Sequence, residues 1–577
     1  MEFKQKVFNI LKNNWQFWVG FVLTSSLLWP LCAAPLFSHH DDTTIIRLYE
    51  MDKCIKDGQI PCRWVPDLGN LYGYPLFNYY APLPYYFGEI FYFLSGNLIF
   101  SVKIMFVVSF LGAYVFMYLF GAKFWGKLGG SLSAIFYSFA PYHGLDFYVR
   151  GAMGEMWALM FFPLVVYLLI RLKDKLSILN SLLLATSVAL LITSHNLSAM
   201  IFLPIVFLLY LLLFIEKKQI KFLLYGFAAF LIGIFLSSFY LLPVLVERDL
   251  VHVETTTYGY FSYTEHFKGF KKLFLERDWG YGASVREIPG GERDRLSYQI
   301  GWVHLLGWIL ALVGAYILRK KEKRVSLIII VSSFIIALAV FMVNPRSIFI
   351  WQAVEPLKYL QFPWRFLLII IFLASFISGA VFLILKDQVK QKLIWLILVI
   401  LVVTLNFSYF RPEKFIQTSD EDLLTGSNWE RQIKRAILDY LPKSASEPPA
   451  ELARERYQLL TGDSFIYDFK QGSNWFSFKT NTNTHTIIRL SQYYFPKWKI
   501  FIDGKETLID YKNNSLGLMT IILGEGNHIV EGRLYDTPIR TIANLLTSVS
   551  ALIVVIFLLL HIPITRSWIK YYKERIA

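Results

Sequence analysis

The chain has 577 residues, of which 55% are hydrophobic and only 17% are charged. Soluble domains carry charge on about a quarter of their residues, so this composition excludes a disordered chain and argues against an ordinary cytosolic enzyme. The formal net charge is +15, from 57 Lys and Arg against 42 Asp and Glu, and the chain has 3 Cys. So few cysteines exclude a disulfide-built scaffold and a cysteine-based zinc array.

Apolar stretches long enough to cross a hydrocarbon core of roughly 30 Å recur along the chain and predict about twelve membrane spans. They lie at 15–34, 100–120, 128–142, 154–171, 177–194, 197–215, 221–243, 301–318, 325–343, 365–385, 391–409 and 541–561. Lys and Arg gather in alternate loops and at both ends, as is typical of the cytoplasmic side of a membrane. The pattern predicts a cell-membrane protein with cytoplasmic N- and C-termini, whose excess positive charge is a topology signal.

Residues 82–97 are apolar and aromatic, but counting them as a span would invert the alternation of the charged loops. We interpret this segment as a helix lying in the outer interface, with Pro82 and Pro84 at its start. Cys54 and Cys62 share the first outer loop and can form a disulfide if the compartment is oxidising, whereas Cys32 is predicted to be a core residue.

These features predict a polytopic α-helical membrane protein with a C-terminal extracytoplasmic β-rich domain. The predicted parts are a transmembrane domain at 1–409 with outer loops at 35–99 and 244–300, an extracytoplasmic α/β domain at 410–540, and a final span with a basic tail at 541–577. Within the outer domain, residues 420–457 are expected to be helical, with a break at Pro448-Pro449. Alternating apolar and polar residues predict strands at 486–490, 499–502 and 520–523.

The first outer loop opens with the polar run Ser38-His39-His40-Asp41-Asp42. Paired carboxylates at a membrane surface can take a proton from a hydroxyl group or hold a divalent cation such as Mg or Mn. Neighbouring histidines can add nitrogen ligands, so His39, His40 and Asp42 are the candidate metal ligands. The alternative is a solvated polar start to the loop.

Three charged residues, Asp146, Arg150 and Glu155, lie close to the start of the fourth predicted span. In a helix, Asp146 and Arg150 would face each other at i, i+4. The three form either a structural ion pair with an interface residue, or an anion site in which Arg150 binds a phosphate and Glu155 fixes it.

A further arginine, Arg365, follows Gln361-Phe362-Pro363-Trp364 at the outer end of another span. It can bind a lipid phosphate at headgroup level or act as a snorkelling anchor. The sequence contains no P-loop, no G-x-G-x-x-G motif, no G-x-S-x-G motif and no H-E-x-x-H motif, and therefore does not support a nucleotide cofactor.

Five predicted features follow one another along the chain. They are an anchor with a cytoplasmic N-terminus, an acidic start to the first outer loop, an aromatic interfacial helix, a multi-span bundle and an outer domain. This order resembles the type C (GT-C) glycosyltransferase superfamily. The resemblance implies a polyprenyl-phosphate-linked sugar donor and inverting transfer to an extracytoplasmic glycan, lipid or protein acceptor. It also implies that Asp41 and Asp42 are the catalytic acidic pair, with the β-rich domain orienting the acceptor.

The span region is also similar to the membrane protein family named 6-pyruvoyl-tetrahydropterin synthase-related. The matching stretches are His40-Asp41-Asp42, Tyr148-Val149-Arg150-Gly151-Ala152-Met153-Gly154-Glu155, His195-Asn196 and Phe362-Pro363-Trp364-Arg365. The soluble pterin synthase holds zinc with three histidines, whereas the outer domain offers only His485 and His528. We therefore expect no pterin chemistry.

Two other functions fit a polytopic chain: a lipid-linked saccharide flippase or transporter, and a non-catalytic scaffold for cell-surface polymers. Charged residues are scarce inside the predicted spans, which argues against ion-coupled transport. The expected partners are membrane lipid and a polyprenyl-phosphate sugar, with no nucleic acid.

Overall fold

The computed structural model describes residues 13–286, 291, 293–434 and 438–561. The chain forms two compact units, each made of three separate stretches of sequence. The first unit comprises Met1–Asp42, Lys103–Leu231 and Thr257–Thr418, and the second comprises Thr43–Val102, Ile232–Thr256 and Ser419–Ala577. Most of the predicted first outer loop thus belongs to the second unit, while its acidic start belongs to the first.

The first unit is mainly helical because its long segments are apolar on all faces and satisfy their own backbone hydrogen bonds. Its α-helices, including two that extend into the second unit, are Trp15–Ser26, Trp29–Ala33, Leu98–Ser138, Pro141–Gly144, Met153–Asp174, Ile178–Ser194, Asn196–Lys217, Ile220–Leu236, Phe270–Phe274, Trp302–Leu318, Lys323–Val343, Ile348–Ala353, Leu367–Ser378 and Gln388–Asn406. One antiparallel pair of short strands, Leu36–Phe37 with Phe415–Ile416, accompanies these helices.

Among the described residues, 7 helices are long and apolar enough to cross a membrane, or up to 8 if a bent pair counts as one span. The polytopic helical class is confirmed, but the number is below the twelve spans predicted. Two predicted spans fall on Ile178–Ser194 and Trp302–Leu318, which have 17 residues each and are shorter than the roughly 20 that a perpendicular span needs. Two others share Leu98–Ser138, in which Gly126 has a φ of 74° and interrupts the helix.

The second unit combines helices with two antiparallel sheets. Its helices are Thr44–Lys56, Leu76–Tyr79, Leu83–Ser95, Ser238–Val246, Asp420–Leu423, Gly426–Lys434 and Pro538–His561. One sheet has five strands in the order Ser464–Gln471, Trp475–Thr482, Gly526–Leu534, Trp498–Ile502, Lys505–Thr507, and the other has three in the order Tyr457–Thr461, Thr486–Tyr493, Leu518–Leu523. The predicted C-terminal β-rich region is confirmed.

Inward-facing side chains of both sheets build one hydrophobic core. Phe476 and Trp498 come from the five-stranded sheet, while Ile488 and Ile521 come from the three-stranded sheet, and all four are almost fully buried. Trp64, from the predicted first outer loop, is also completely buried in this core. Alternation of inward apolar and outward polar residues therefore produces the sheets, as the sequence pattern predicts.

Two local predictions need correction. Residues 420–457 were expected to be helical, but among the described residues they contain only Asp420–Leu423, Gly426–Lys434 and one turn of 3-10 helix at Leu438–Tyr440. Several prolines follow, which lack the N–H that a helix needs. Cys32 is exposed and is not a core residue.

The segment predicted as an interfacial helix is helical at Leu83–Ser95 and ends at Gly96, whose φ of 63° is typical of a residue that terminates a helix. Phe93 and Leu94 are 83% and 74% exposed, as an apolar face turned toward lipid would be. Its position at the membrane interface stays a prediction. Cys54 and Cys62, in the same predicted loop, are joined by a disulfide bond.

Candidate functional site

The acidic start of the first outer loop is held by backbone hydrogen bonds. Immediately after the strand Leu36–Phe37, the N–H of His40 donates to the carbonyl oxygen of Val149 at 2.9 Å. The N–H of Asp41 donates to the carbonyl oxygen of Arg150, also at 2.9 Å. The two chain segments therefore run side by side, and the acidic pair begins beside Arg150.

Arg150 ends a short π-helix, Leu145–Arg150. π-Helical turns are rare in proteins, and those that occur often lie at functional sites. Gly151 follows with a φ of 64°, a conformation that glycine adopts easily. A Cβ at Gly151 would lie 2.3 Å from Nδ1 of His39, so a larger residue would collide with the histidine ring. The glycine thus permits both the turn and the close approach of the acidic loop.

Four charged residues, Asp146, Arg150, Glu155 and Arg365, form what we term the Glu155 cluster. Nη1 and Nη2 of Arg150 donate to Oε2 and Oε1 of Glu155, both at 2.8 Å. Nη1 of Arg150 also donates to Oδ1 of Asp146, and Nε of Arg365 donates to Oε1 of Glu155 at 2.8 Å. One carboxylate therefore links two guanidinium groups, with a second carboxyl group beside Arg150.

Aromatic and polar neighbours fix the orientation of both arginines. The Arg150 guanidinium lies 4.6 Å from the centroid of the Trp364 ring, and Tyr142 donates its hydroxyl to Glu155 at 3.2 Å. Nη1 of Arg365 donates to the carbonyl oxygen of Leu360 at 2.6 Å. Stacking and multiple hydrogen bonds on a planar guanidinium restrict its rotation, so the cluster is preorganised.

Both arginines are mostly buried, but a small fraction of each side chain is exposed. The side chain of Arg150 is 11% exposed and that of Arg365 is 8% exposed, whereas Asp146 is completely buried. Within the described residues, the hydrogen bonds of Arg365 use Nε and Nη1, which leaves Nη2 for a further acceptor. An anion approaching the exposed edge would meet donors that are already in position.

Burial and neighbouring charges shift the protonation of this region. Burial, together with the charge of Glu155, raises the pKa of Asp146 to about 8. Burial and the nearby Arg150 lower the pKa of His40 to about 4, and burial lowers the pKa of His195 to about 3. Near neutral pH, these two histidines are neutral and Asp146 holds a proton, so the positive charge resides on the arginines.

The raised pKa of Asp146 predicts a pH dependence of stability. Its ordinary value is 3.8, so between about pH 4 and pH 8 the unfolded chain loses this proton while the folded chain retains it. The free energy of unfolding should therefore fall as pH rises through this window. Melting temperatures measured from pH 5 to pH 8.5 should fall more steeply for the wild type than for Asp146→Asn, and parallel slopes would contradict the assignment.

The predicted metal site is not assembled. In the described parts of the chain, no group of three or more His, Cys, Asp or Glu side chains is arranged to hold a metal ion. His39 packs its ring against Phe37 and Phe106, while His40 packs edge-on against Tyr281 at 4.7 Å. Both histidine rings thus pack against aromatic side chains, and we derive no step through a metal ion.

The structure brings together Asp146, Arg150, Glu155 and Arg365, and it attaches the loop of Asp41 and Asp42 to Arg150 through the backbone. Tyr142 and Trp364 also contact the cluster, although neither was proposed as a site residue. Trp364 is adjacent to Arg365, and Tyr142 lies in the same loop as Asp146. This closeness in the sequence is the signal that could have identified them. Tyr281 contacts His40 from a distant part of the chain, and no sequence pattern indicates it.

Comparison with known proteins agrees with the membrane assignment. The model of the 6-pyruvoyl-tetrahydropterin synthase related domain, a membrane protein family, matches residues 77–286. An uncharacterized protein of Lactococcus lactis subsp. cremoris (strain MG1363) is 28% identical over 249 residues, which is 41% of this chain and 40% of that protein. The chain thus matches less than half the length of this relative.

Among solved structures, the crystal structure of the Archaeoglobus fulgidus oligosaccharyltransferase in complex with Zn and sulfate is similar, with a TM-score of 0.44 and 13% sequence identity. The likeness covers 75% of this chain and 58% of that one. The family match supports the resemblance of the sequence to the 6-pyruvoyl-tetrahydropterin synthase-related family. The protein is a polytopic membrane protein whose residues 77–286 match the 6-pyruvoyl-tetrahydropterin synthase related domain.

Proposed function

We propose that the protein is a membrane glycosyltransferase that moves a sugar from a polyprenyl-phosphate donor to an extracytoplasmic acceptor with inversion. The observation that carries the proposal is the hydrogen bond from the Asp41 N–H to the Arg150 carbonyl. It joins a candidate base to a candidate phosphate-binding arginine within one compact unit. The GT-C resemblance of the sequence supplies the substrate class.

In this mechanism, a hydroxyl oxygen of the acceptor attacks the anomeric carbon of the donor sugar. The hydroxyl proton passes to the carboxylate of Asp41 or Asp42 as the new bond forms. The bond between the anomeric carbon and the phosphate oxygen breaks, and the electron pair leaves with polyprenyl phosphate. Because this is a single displacement, the configuration at the anomeric carbon inverts.

The role of the Glu155 cluster is to stabilise the charge that develops on the departing phosphate. Arg150 and Arg365 present fixed donors at a partly exposed edge, so little reorganisation is needed when the charge appears. Glu155 positions both guanidinium groups, and its carboxylate oxygens are occupied by the hydrogen bonds that they accept from them. A phosphate is already a good leaving group, so the mechanism requires no strong general acid.

We place the site on the extracytoplasmic face. Supporting this, the Lys and Arg clusters alternate with the loops that contain the site residues. The disulfide between Cys54 and Cys62 lies in the same predicted loop as Asp41 and Asp42, and disulfides are typical of compartments outside the reducing cytosol.

The direct test is incubation of the purified full-length protein with a panel of polyprenyl-phosphate monosaccharides and hydroxyl acceptors. We expect release of polyprenyl phosphate and, by NMR, a product anomer opposite to that of the donor. A flippase would instead transfer intact donor between leaflets of proteoliposomes without releasing polyprenyl phosphate. Folded protein that shows no turnover with any donor, or a product with retained configuration, would overturn the proposed reaction.

A further inference from the structure

A second arginine-rich site lies in the second unit and shares no residue with the Glu155 cluster. It is a cavity of about 250 Å³ whose lining includes Arg63, Asn474, Arg533, Asp536 and Arg540, and we term it the Arg540 pocket. A water molecule in the liquid occupies about 30 Å³, so the cavity has room for a group larger than a single water.

The unpaired donor atoms of Arg540 indicate that the pocket binds a ligand. Its side chain is completely buried, and its Nε donates to Oε2 of Glu247 at 2.7 Å. The other Glu247 oxygen accepts the hydroxyl of Thr537. Nη1 and Nη2 of Arg540 are buried and have no hydrogen-bond acceptor among the described residues. Leaving such donors unsatisfied is costly, so native proteins nearly always give them a partner.

The neighbouring Arg63 cannot provide that partner, because a guanidinium group has donors but no acceptor. Nη1 and Nη2 of Arg63 donate to Oδ1 of Asn78 and of Asn544, both at 2.8 Å, and its Nε lies 3.3 Å from Oδ1 of Asp536. Arg63 is thus fixed by its own partners. Burial, reinforced by the charge of Arg540, lowers the pKa of Arg63 to about 10.

The charge balance of the pocket favours an anion. Three arginines, Arg63, Arg533 and Arg540, face two carboxylates, Asp536 and Glu247. Arg540 also lies in the first turn of the helix Pro538–His561, where the aligned peptide dipoles add partial positive charge. A bound anion would neutralise the excess and occupy the unpaired Nη atoms.

We propose that the Arg540 pocket binds a phosphate group, held by the two Nη atoms of Arg540 and by Arg533. A guanidinium fork matches two oxygens of a phosphate, and a second arginine can take a third oxygen. The phosphate can come from a soluble anion or from a lipid headgroup, because both present the same oxyanion. This site does not depend on the proposed sugar transfer.

Arg533 gives the cleanest test because it is exposed and its replacement should not disturb the buried ion pair of Arg540. The experiment is calorimetric titration of the full-length protein in neutral detergent with inorganic phosphate, against chloride at equal ionic strength. We expect binding by the wild type and about tenfold weaker binding by Arg533→Gln, which is the loss of one charge-assisted hydrogen bond. Arg454→Gln, an exposed arginine of the same unit paired with Glu430, should bind like the wild type.

A variant of opposite sign sharpens the test. Asp536→Asn removes a competing carboxylate from the pocket and should tighten phosphate binding. The lipid source is tested in nanodiscs of phosphatidylcholine with and without phosphatidic acid, with melting temperature as the readout.

Stabilisation by phosphatidic acid that Arg533→Gln loses, without binding of inorganic phosphate, assigns the site to a headgroup, whereas binding of inorganic phosphate assigns it to a soluble anion. Absence of binding in both arms would overturn the proposal, as would equal affinities of the wild type and Arg533→Gln.

Discussion

Sugar transfer should fall by about 10²- to 10⁴-fold in the double variant Asp41→Asn, Asp42→Asn, which is the usual contribution of a positioned general base. The amide keeps the shape of the side chain but cannot accept the acceptor proton. The two single variants should differ, because only one carboxylate receives the proton, and the larger loss identifies it. Initial rates of polyprenyl phosphate release provide the measurement.

Asp249→Asn is the matched control, since Asp249 is 87% exposed and also lies in a predicted outer loop. It should leave the rate within about twofold, as expected for an exposed surface position. Melting temperatures of all variants separate lost chemistry from lost folding. A double variant that is folded and transfers sugar at the wild-type rate would contradict the assigned base and favour a scaffold.

The largest loss of stability is expected from Glu155→Gln. Glu155 accepts hydrogen bonds from Arg150 and Arg365, and its side chain is only 2% exposed. The substitution leaves two mostly buried guanidinium groups beside the carboxyl group of Asp146, which holds a proton near neutral pH, and it points amide N–H groups at arginine donors. Breaking a buried charge pair costs about 3–5 kcal/mol, so we expect a decrease of this size in the free energy of unfolding.

Denaturant titration in bicelles measures this difference, with Glu216→Gln as the control. Glu216 pairs with Lys173 and Arg324 but is 38% exposed, so its loss should cost no more than about 1 kcal/mol. Any Glu155→Gln protein that folds should also transfer sugar more slowly, because Arg150 and Arg365 are no longer aligned. Equal stability of the two variants would contradict the central role of Glu155.

The sequence predicts the elements of this fold better than their assembly. Uniformly apolar stretches and alternating strands have strong periodic signals, and the polytopic class and the C-terminal sheets follow from them. The spacing of Asp146 and Arg150 also indicates their contact, although it occurs on a π-helix. By contrast, the ion pair between Arg365 and Glu155 joins residues 210 positions apart, and no local pattern encodes that separation.

The errors have local physical causes. Runs of apolar residues overestimate the number of spans because some apolar helices, such as Ile178–Ser194 and Trp302–Leu318, are short. The adjacency of His39, His40 and Asp42 in sequence indicated a metal site, but no such cluster is assembled among the described residues, where the histidine rings pack against Phe106 and Tyr281. Proximity along the chain does not fix the direction of side chains.

The attachment of Asp41 to Arg150 includes a hydrogen bond between main-chain atoms, and this has a consequence for how such sites can vary among homologues. A main-chain tether is indifferent to side-chain identity at both ends, so mutational drift can alter the chemistry of positions 41 and 150 without separating them. Proline at position 40 or 41 is the exception, because it removes the donating N–H. Homologues that lack catalytic activity can therefore retain the same loop geometry. Catalytic activity has to be assigned from the side chains at positions 41 and 150.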